Sequence, residues 1–342
     1  MTTDDTRVYS RRNYLQGVGG AVAAGTAGLA GCLGSDLEEL TLAYMPIYPD
    51  LQYFVMDGEG YLDELSVDVD AREFTDGPAI VQAYGGGEID VAMFGIVPSM
   101  IVIDRGIPAK VTAANITEPM AIMAHDDFQQ LWADHGADAF ERWTDERGTP
   151  FRFGTFPQGS VPDVLLRYWL ETDVGLEPEE ATEIIEINGA SAVWQAIAND
   201  EIDGTSIMEP VPTIAQEEES SVSTFLTAAE IMPGQPAAVT LMSDEVRESE
   251  VAREFLEQHR RATEFINDNP GETAEHVSEG IGMPLERAQQ ALESPLSNFV
   301  TDPREIENGT EIFAEFAHRN GQTDDYLDLE DIFDTSVYDE VA

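Results

Sequence analysis

Ala79-Ile80-Val81-Gln82-Ala83-Tyr84-Gly85-Gly86-Gly87-Glu88-Ile89-Asp90 returns 113 residues further on as Ala192-Val193-Trp194-Gln195-Ala196-Ile197-Ala198-Asn199-Asp200-Glu201-Ile202-Asp203. Six of the twelve positions are identical, and Ile80/Val193 is a conservative exchange. At the same offset Glu73 falls on Glu186, and the apolar stretch ending at Phe74 falls on the one ending at Ile187. Further upstream Leu42-Ala43-Tyr44-Met45-Pro46 resembles Phe153-Gly154-Thr155-Phe156-Pro157, and Pro49-Asp50 resembles Pro162-Asp163 after a two-residue difference in loop length. A constant offset over three blocks points to one α/β unit built twice.

The local patterns around the repeat support that reading. Leu40 to Tyr44 and the period-two run Leu65, Val67, Val69 read as strands. Asp50 is placed to cap a helix carrying Leu51, Phe54 and Val55 on one face. Gly77-Pro78 opens the repeat helix, Gly85-Gly86-Gly87 closes it, and a strand follows from Ile89 to Phe94. Residues 110–114 and 120–124 read as further strands. Residues 126–148 read as amphipathic helix with Phe128, Leu131, Trp132, Phe140 and Trp143 buried. The second unit repeats the order from Phe151, and residues 237–242 read as a strand returning to the first unit. Strands alternating with helices predict a largely parallel sheet in each unit. The helices of residues 244–342 have no counterpart in the repeat and are expected to complete the first lobe.

Length and charge narrow the function. A chain of 342 residues has room for two domains. Its 67 acidic residues outnumber 17 basic ones, Lys110 is the single lysine, and the net charge is −50. Such a surface repels nucleic acid and anionic membranes, which excludes both as partners. A hydrophobic content of 42% with regular periodicity argues against disorder. This composition resembles that of proteins from extreme halophiles, where carboxylates keep a surface hydrated. At ~1 M salt the Debye length is only ~3 Å, so self-repulsion is screened.

Ser10-Arg11-Arg12-Asn13-Tyr14-Leu15 precedes a weakly apolar run over residues 17–30. Twin arginines before such a run resemble a Tat export signal, and Leu29-Ala30-Gly31-Cys32 resembles a lipobox. Cys32, the single cysteine, is then the lipidated mature N-terminus, and no internal disulfide is available. The expected organisation is a signal with lipobox over 1–32 and a linker over 33–39. Lobe 1 follows over 40–123 and 242–342, with lobe 2 over 124–241.

Ligands of parallel α/β sheets bind beyond the carboxyl ends of the strands. Four loops qualify: Pro46-Ile47-Tyr48-Pro49, Gly95-Ile96-Val97-Pro98-Ser99, Phe156-Pro157-Gln158-Gly159-Ser160 and Ile207-Met208-Glu209-Pro210. If two lobes face each other, these loops converge on one cleft.

Gly60-Tyr61, Gly87-Glu88-Ile89-Asp90-Val91-Ala92 with Gly95, residues 154–160, Gly175-Leu176-Glu177-Pro178, and Glu201-Ile202-Asp203 with Glu209-Pro210 resemble the motifs of periplasmic substrate-binding proteins. The type is that of nitrate/sulfonate/taurine and thiamine-precursor carriers, and the resemblance covers residues 40–269. It implies a type II periplasmic-binding-protein fold, with two Rossmann-like lobes, two crossover strands and a central cleft. It also implies capture of a small solute, an oxyanion or a pyrimidine, and delivery to an ABC permease with its cytoplasmic ATPase. The protein is then a monomer outside the cell on a lipid tether, without cofactor, metal or reaction.

Within that frame the candidate ligand contacts are Tyr48, Tyr53, Gly95, Ile96, Asn115, Phe156, Gln158, Gly159, Ser160 and Glu209. Gln158, Gly159 and Ser160 precede a helix and offer N–H groups and a hydroxyl, although Ser160 is equally suited to a plain N-cap. Tyr48, Tyr53 and Phe156 are rings for stacking or for the core. Asn115 follows a strand near the hinge and also heads a glycosylation sequon, as does Asn308. A Glu209 carboxylate facing the cleft favours a donor-bearing or cationic solute over nitrate or a sulfonate. Asp90 and Asp203 sit at matching turns and read as structural, and Arg152 reads as an edge or surface residue.

Two alternatives stay open: an enzyme of pyrimidine synthesis in the same fold family, and a sensing lipoprotein without a transporter. The chain lacks a phosphate-binding Gly-Lys-Ser/Thr loop, a Gly-x-Ser-x-Gly elbow and a His-Glu-x-x-His helix. Its five histidines show no metal-ligand spacing.

Overall fold

In the computed structural model residues 37–342 are described. The expected export signal with Cys32, and residues 33–36 of the expected linker, lie outside them. The strands are β1 (Glu39–Tyr44), β2 (Asp68–Glu73), β3 (Val91–Gly95), β4 (Ala109–Ala114), β5 (Ile116–Thr117), β6 (Ala121–His125), β7 (Phe151–Thr155), β8 (Thr182–Glu186), β9 (Gly204–Ile207), β10 (Val222–Thr227), β11 (Ala238–Ser243) and β12 (Asn298–Phe299).

Two five-stranded sheets carry the two lobes, in the orders β2-β1-β3-β11-β4 and β10-β6-β9-β7-β8. In the first, β1 runs parallel to β2 and β3, and β11 runs antiparallel to β3 and β4. In the second, β7 runs parallel to β8 and β9, and β6 runs antiparallel to β9 and β10. Each sheet is thus largely parallel with one antiparallel member, and that member is the strand the chain enters on crossing between lobes. The crossings run from β4 to β6 and from β10 to β11. The limits 123/124 and 241/242 drawn from the sequence fall inside β6 and β11.

The repeat is visible in the register. Leu42 pairs with Val91 in one lobe, and Phe153 pairs with Gly204 in the other. The repeat helices span Gly77–Gly85 and Ala190–Ala198. Asp76 caps the first, its carboxylate accepting from Ala79 N at 2.9 Å.

Differences from the sequence patterns have local causes. Residues 126–148 form two helices, Asp126–His135 and Ala139–Arg147, because Gly136 takes a positive φ of 59° between them. Phe128, Phe140 and Trp143 are buried as expected, in an aromatic cluster with Phe151, Phe153, Trp169 and Phe225. Leu131 and Trp132 are half-buried at its edge. Asp50 does not cap the helix Leu51–Gly58; its side chain is buried and turned to Asn115.

The helices after β11 complete the first lobe. Glu250–Asp268 and Pro270–Ile281 pack on Leu51–Gly58, and Glu307–Arg319 packs on Ile96–Asp104. The stripe Val251, Phe255, Leu256, Ala262, Ile266 on Glu250–Asp268 is buried at the spacing an amphipathic helix requires. Among the described residues no helix is long and apolar enough to cross a membrane.

Candidate functional site

The carboxyl ends of β1, β3, β7 and β9 face a seam between the lobes. A methyl group placed on Gly95 would lie 3.6 Å from Val161 Cγ2 of the opposite lobe. One on Gly159 would lie 2.7 Å from Gln322 Nε2, which follows helix Glu307–Arg319 of the first lobe. Gly159 also has φ +85°, a backbone conformation that favours glycine there. Two ion pairs span the seam: Arg287 with Glu217 at 2.7 Å, and Arg319 with Glu171.

Tyr48 is the first-lobe residue of this seam, 2% exposed. Ser297 Oγ lies 2.8 Å from its hydroxyl and donates its own proton to Ala291 O at 2.6 Å. Tyr48 is therefore the donor to Ser297, and its oxygen keeps acceptor capacity. Burial first, and then the charge of Glu209, raises its pKa despite the Ser297 bond. Glu209 itself lies in the loop after β9.

Glu209 is 2% exposed, and its carboxylate accepts from Thr213 N at 3.2 Å. Burial raises its pKa, and the hydroxyls of Ser294 and Thr213 together with the Thr213 N–H oppose that shift. The field of helix Val211–Glu217 also favours a negative charge at this end.

In the loop after β7 the backbone donors are partly used. Gln158 N donates to Glu186 Oε1 at 3.0 Å, and Gly159 N donates to Asp163 Oδ2 at 2.9 Å. Ser160 stands at the N-cap of Val161–Tyr168 but makes no side-chain cap bond, and its hydroxyl is buried without a partner. Asp163, in the first turn of that helix, takes the Gly159 N–H and also pairs with Arg167 at 2.8 Å. Gln322 Oε1, on the facing lobe, is likewise buried and unpartnered. Phe156 is half-buried, and Gln158 is exposed.

The remaining candidates are held elsewhere. Tyr53 stacks on Tyr44 with ring centroids 3.6 Å apart and lies edge-on to Phe54. Ile96 is fully buried, and its N–H donates to Ala237 O at 2.8 Å.

Asn115 forms the centre of a buried polar network under the hinge. Its Oδ1 accepts from Thr240 Oγ1 and His259 Nε2, both at 3.0 Å. Its Nδ2 donates to Asp50 Oδ1 at 3.3 Å, and its carbonyl accepts from Gln52 Nε2 at 2.6 Å. Because Asn115 Oδ1 is an acceptor, His259 carries its proton on Nε2, and Nδ1 accepts from Thr301 Oγ1 at 3.0 Å. Burial pushes His259 down to about 3, and burial pushes the Asp50 carboxyl up to about 8. Asn115 is wholly buried, so a glycan at its sequon is incompatible with the fold, whereas Asn308 is exposed.

No sequence signal pointed to Ser297, Gln322 or His259, since all three come from the helical tail that the repeat does not contain. Among the described residues no group of three or more His, Cys, Asp or Glu is placed to hold a metal ion.

The sequence profile of the NMT1-like family matches residues 34–281. A Brucella abortus chain named only as a binding protein is 24% identical over 221 residues, and this chain spans 63% of that relative's length. Among solved structures, the nitrate-binding protein of Synechocystis superposes with a TM-score of 0.71 at 16% identity, covering 90% of this chain and 89% of that one. The aliphatic sulphonate binding protein of Escherichia coli gives 0.70 at 15%, covering 87% and 92%. A ligand-binding component of an ABC-type import system from Staphylococcus aureus, with zinc bound, gives 0.71 at 16%, covering 90% and 99%. These likenesses establish the type II periplasmic-binding-protein fold that the sequence motifs imply.

Proposed function

Because the chain belongs to the NMT1-like family, we propose that it is an extracytoplasmic solute-binding protein that closes two lobes on a small molecule and hands it to an ABC import permease. The observation that carries this reading is the pair of buried, unpartnered oxygens at the seam, Ser160 Oγ and Gln322 Oε1, contributed by opposite lobes. A buried polar atom without a partner is costly, and a solute between the lobes would satisfy both. The work is capture, with bound solute shifting the lobes further towards a closed form that the permease recognises.

The neighbouring chemistry favours a solute that donates hydrogen bonds. Glu209 and the oxygen of Tyr48 are acceptors, and the two arginines on the rims of the seam are engaged by Glu217 and Glu171. A neutral or cationic solute with N–H or O–H groups fits these better than nitrate or a sulfonate. Asn115, Ile96 and Tyr53 serve this site as scaffold.

Thermal-shift screening at molar salt, with nitrate, taurine, alkanesulfonates and aminopyrimidines, tests the reading. Stabilisation by a donor-bearing solute at micromolar concentration supports it. Turnover of a substrate without stabilisation by any solute would overturn it. The anchor proposed at Cys32 is tested separately: Cys32→Ser should release the protein into the medium, and retention of that variant on the membrane would refute lipidation.

A further inference from the structure

Leu296 belongs by sequence to the helical tail of the first lobe, yet it is buried in the second. It is 4% exposed and shares an apolar cluster with Val193, Trp194, Ile207, Val211 and Ile214. The helix before it, Leu285–Leu292, packs on Pro270–Ile281 of its own lobe and also touches Val211–Glu217 across the seam. From that helix Arg287 reaches one carboxylate oxygen of Glu217, Oε2, with Nε at 2.8 Å and Nη2 at 2.7 Å, a charge-assisted contact across the seam.

Immediately downstream the chain is tied to the hinge and the first lobe. Ser297 holds Tyr48, β12 pairs with β5, Val300 N donates to Asn115 O at 3.2 Å, and Thr301 holds His259. One short segment therefore grips lobe 2 at its start and the hinge at its end.

We propose that residues 287–296 form an interlobe strap that holds the cleft shut, and that the cleft opens when this strap leaves lobe 2 and pivots about β12. The proposal takes its purpose from the solute-binding reading, since a closed cleft must open to load, but its mechanics do not depend on which solute binds. The two main anchors respond differently to salt. Concentrated salt weakens the Arg287–Glu217 pair and strengthens apolar burial, so Leu296 carries the strap in a saline medium.

The test is carried out on the solute-free protein, by small-angle scattering and amide hydrogen exchange. Leu296→Ser should shift the closed-to-open ratio about ten-fold or more towards open. The radius of gyration should then rise, and exchange should increase together in the strap and in residues 211–217. Arg287→Glu should open the protein at low salt, and the exchanged pair Arg287→Glu with Glu217→Arg should close it again. The exchanged pair also keeps the test valid if Leu296→Ser fails to fold.

Folded variants that keep the wild-type radius and exchange pattern would overturn the proposal. So would opening in which the strap stays protected on lobe 2, because the pivot would then lie elsewhere. Since no solute is present, failure here is distinct from failure of the solute-binding reading, which ligand titration decides.

Discussion

Asp203 clasps Arg152 from two sides: one carboxylate oxygen accepts from Arg152 N at 2.8 Å and Nε at 3.0 Å, and the other accepts from Nη2 at 2.7 Å. In the first lobe Asp90 does the same for Thr41, whose N–H donates to Asp90 Oδ2 at 2.7 Å. Each repeated aspartate therefore ties the strand it precedes to the neighbouring strand. The structural role that their matching positions suggested is what the geometry shows, and Arg152 proves to be the partner that lobe 1 lacks.

The asymmetry of these clasps predicts unequal mutational costs. Asp203→Ala strands a buried backbone N–H and a half-buried guanidinium, and should cost ~2–4 kcal/mol. Asp90→Ala loses one backbone acceptor and should cost ~1–2 kcal/mol. Urea unfolding of both variants checks the order, and equal losses would contradict it.

Gly309 begins the helix Glu307–Arg319 hard against the crossing segment between β10 and β11. A methyl group there would lie 2.2 Å from Gly234 O and 2.6 Å from Pro236 Cδ. Gly309→Ala should destabilise by ~1–3 kcal/mol, because two backbone segments would have to part. Gly271→Ala, in helix Pro270–Ile281 with nothing near its Cα hydrogens, should be neutral or stabilise by up to ~1 kcal/mol. Melting curves of the two variants should move in opposite directions or differ by several degrees.

Stability should fall as pH rises between 6.5 and 8. Burial pushes Asp50 up to about 8 from 3.8, so the folded state keeps a proton that the unfolded chain has released, and this contribution is lost as pH rises through that interval. His259, held down to about 3 from 6.5, acts in the opposite sense, opposing folding as pH falls below 6.5. Above 6.5 Asp50 acts without that opposition, with a slope of at most ~1.4 kcal/mol per pH unit. Asp50→Asn should flatten the profile between pH 6.5 and 8, and a profile unchanged by that substitution would disprove the assignment.

Ser160→Ala separates capping from ligand contact. Its hydroxyl bonds nothing in the protein, so solute-free stability should change by no more than ~0.5 kcal/mol. If the hydroxyl meets the solute, the Kd should rise about ten-fold, ~1.4 kcal/mol. Calorimetric titration with a solute found by thermal shift measures it, and unaltered affinity would remove Ser160 from the site.

The repeat made the fold legible because its signal is local. Strand periodicity, glycine closures and the two matching aspartates recur at a fixed offset, and the paired registers Leu42/Val91 and Phe153/Gly204 follow from them. Site residues were less legible. Gly95 and Gly159 do lie against the opposite lobe, at Val161 and Gln322, since each lies just beyond a strand end. Asn115, Ile96 and Tyr53 sit equally near strand ends, yet their polar groups or ring faces are taken by Thr240, Ala237 and Tyr44. Sequence position places a residue near a cleft but does not show which way its side chain turns.

What the sequence determined by itself is the doubled α/β unit, its four loops and its acidic character, because each depends on neighbouring residues and composition. Only the tertiary structure decided which lobe Leu296 serves, that the Ser160 hydroxyl makes no cap bond, and that Asn115 is buried in a network reaching Val300 and Thr301. These depend on the path of a helical tail with no repeat to predict it. Contacts between residues far apart in the chain arise from packing, which no local pattern encodes.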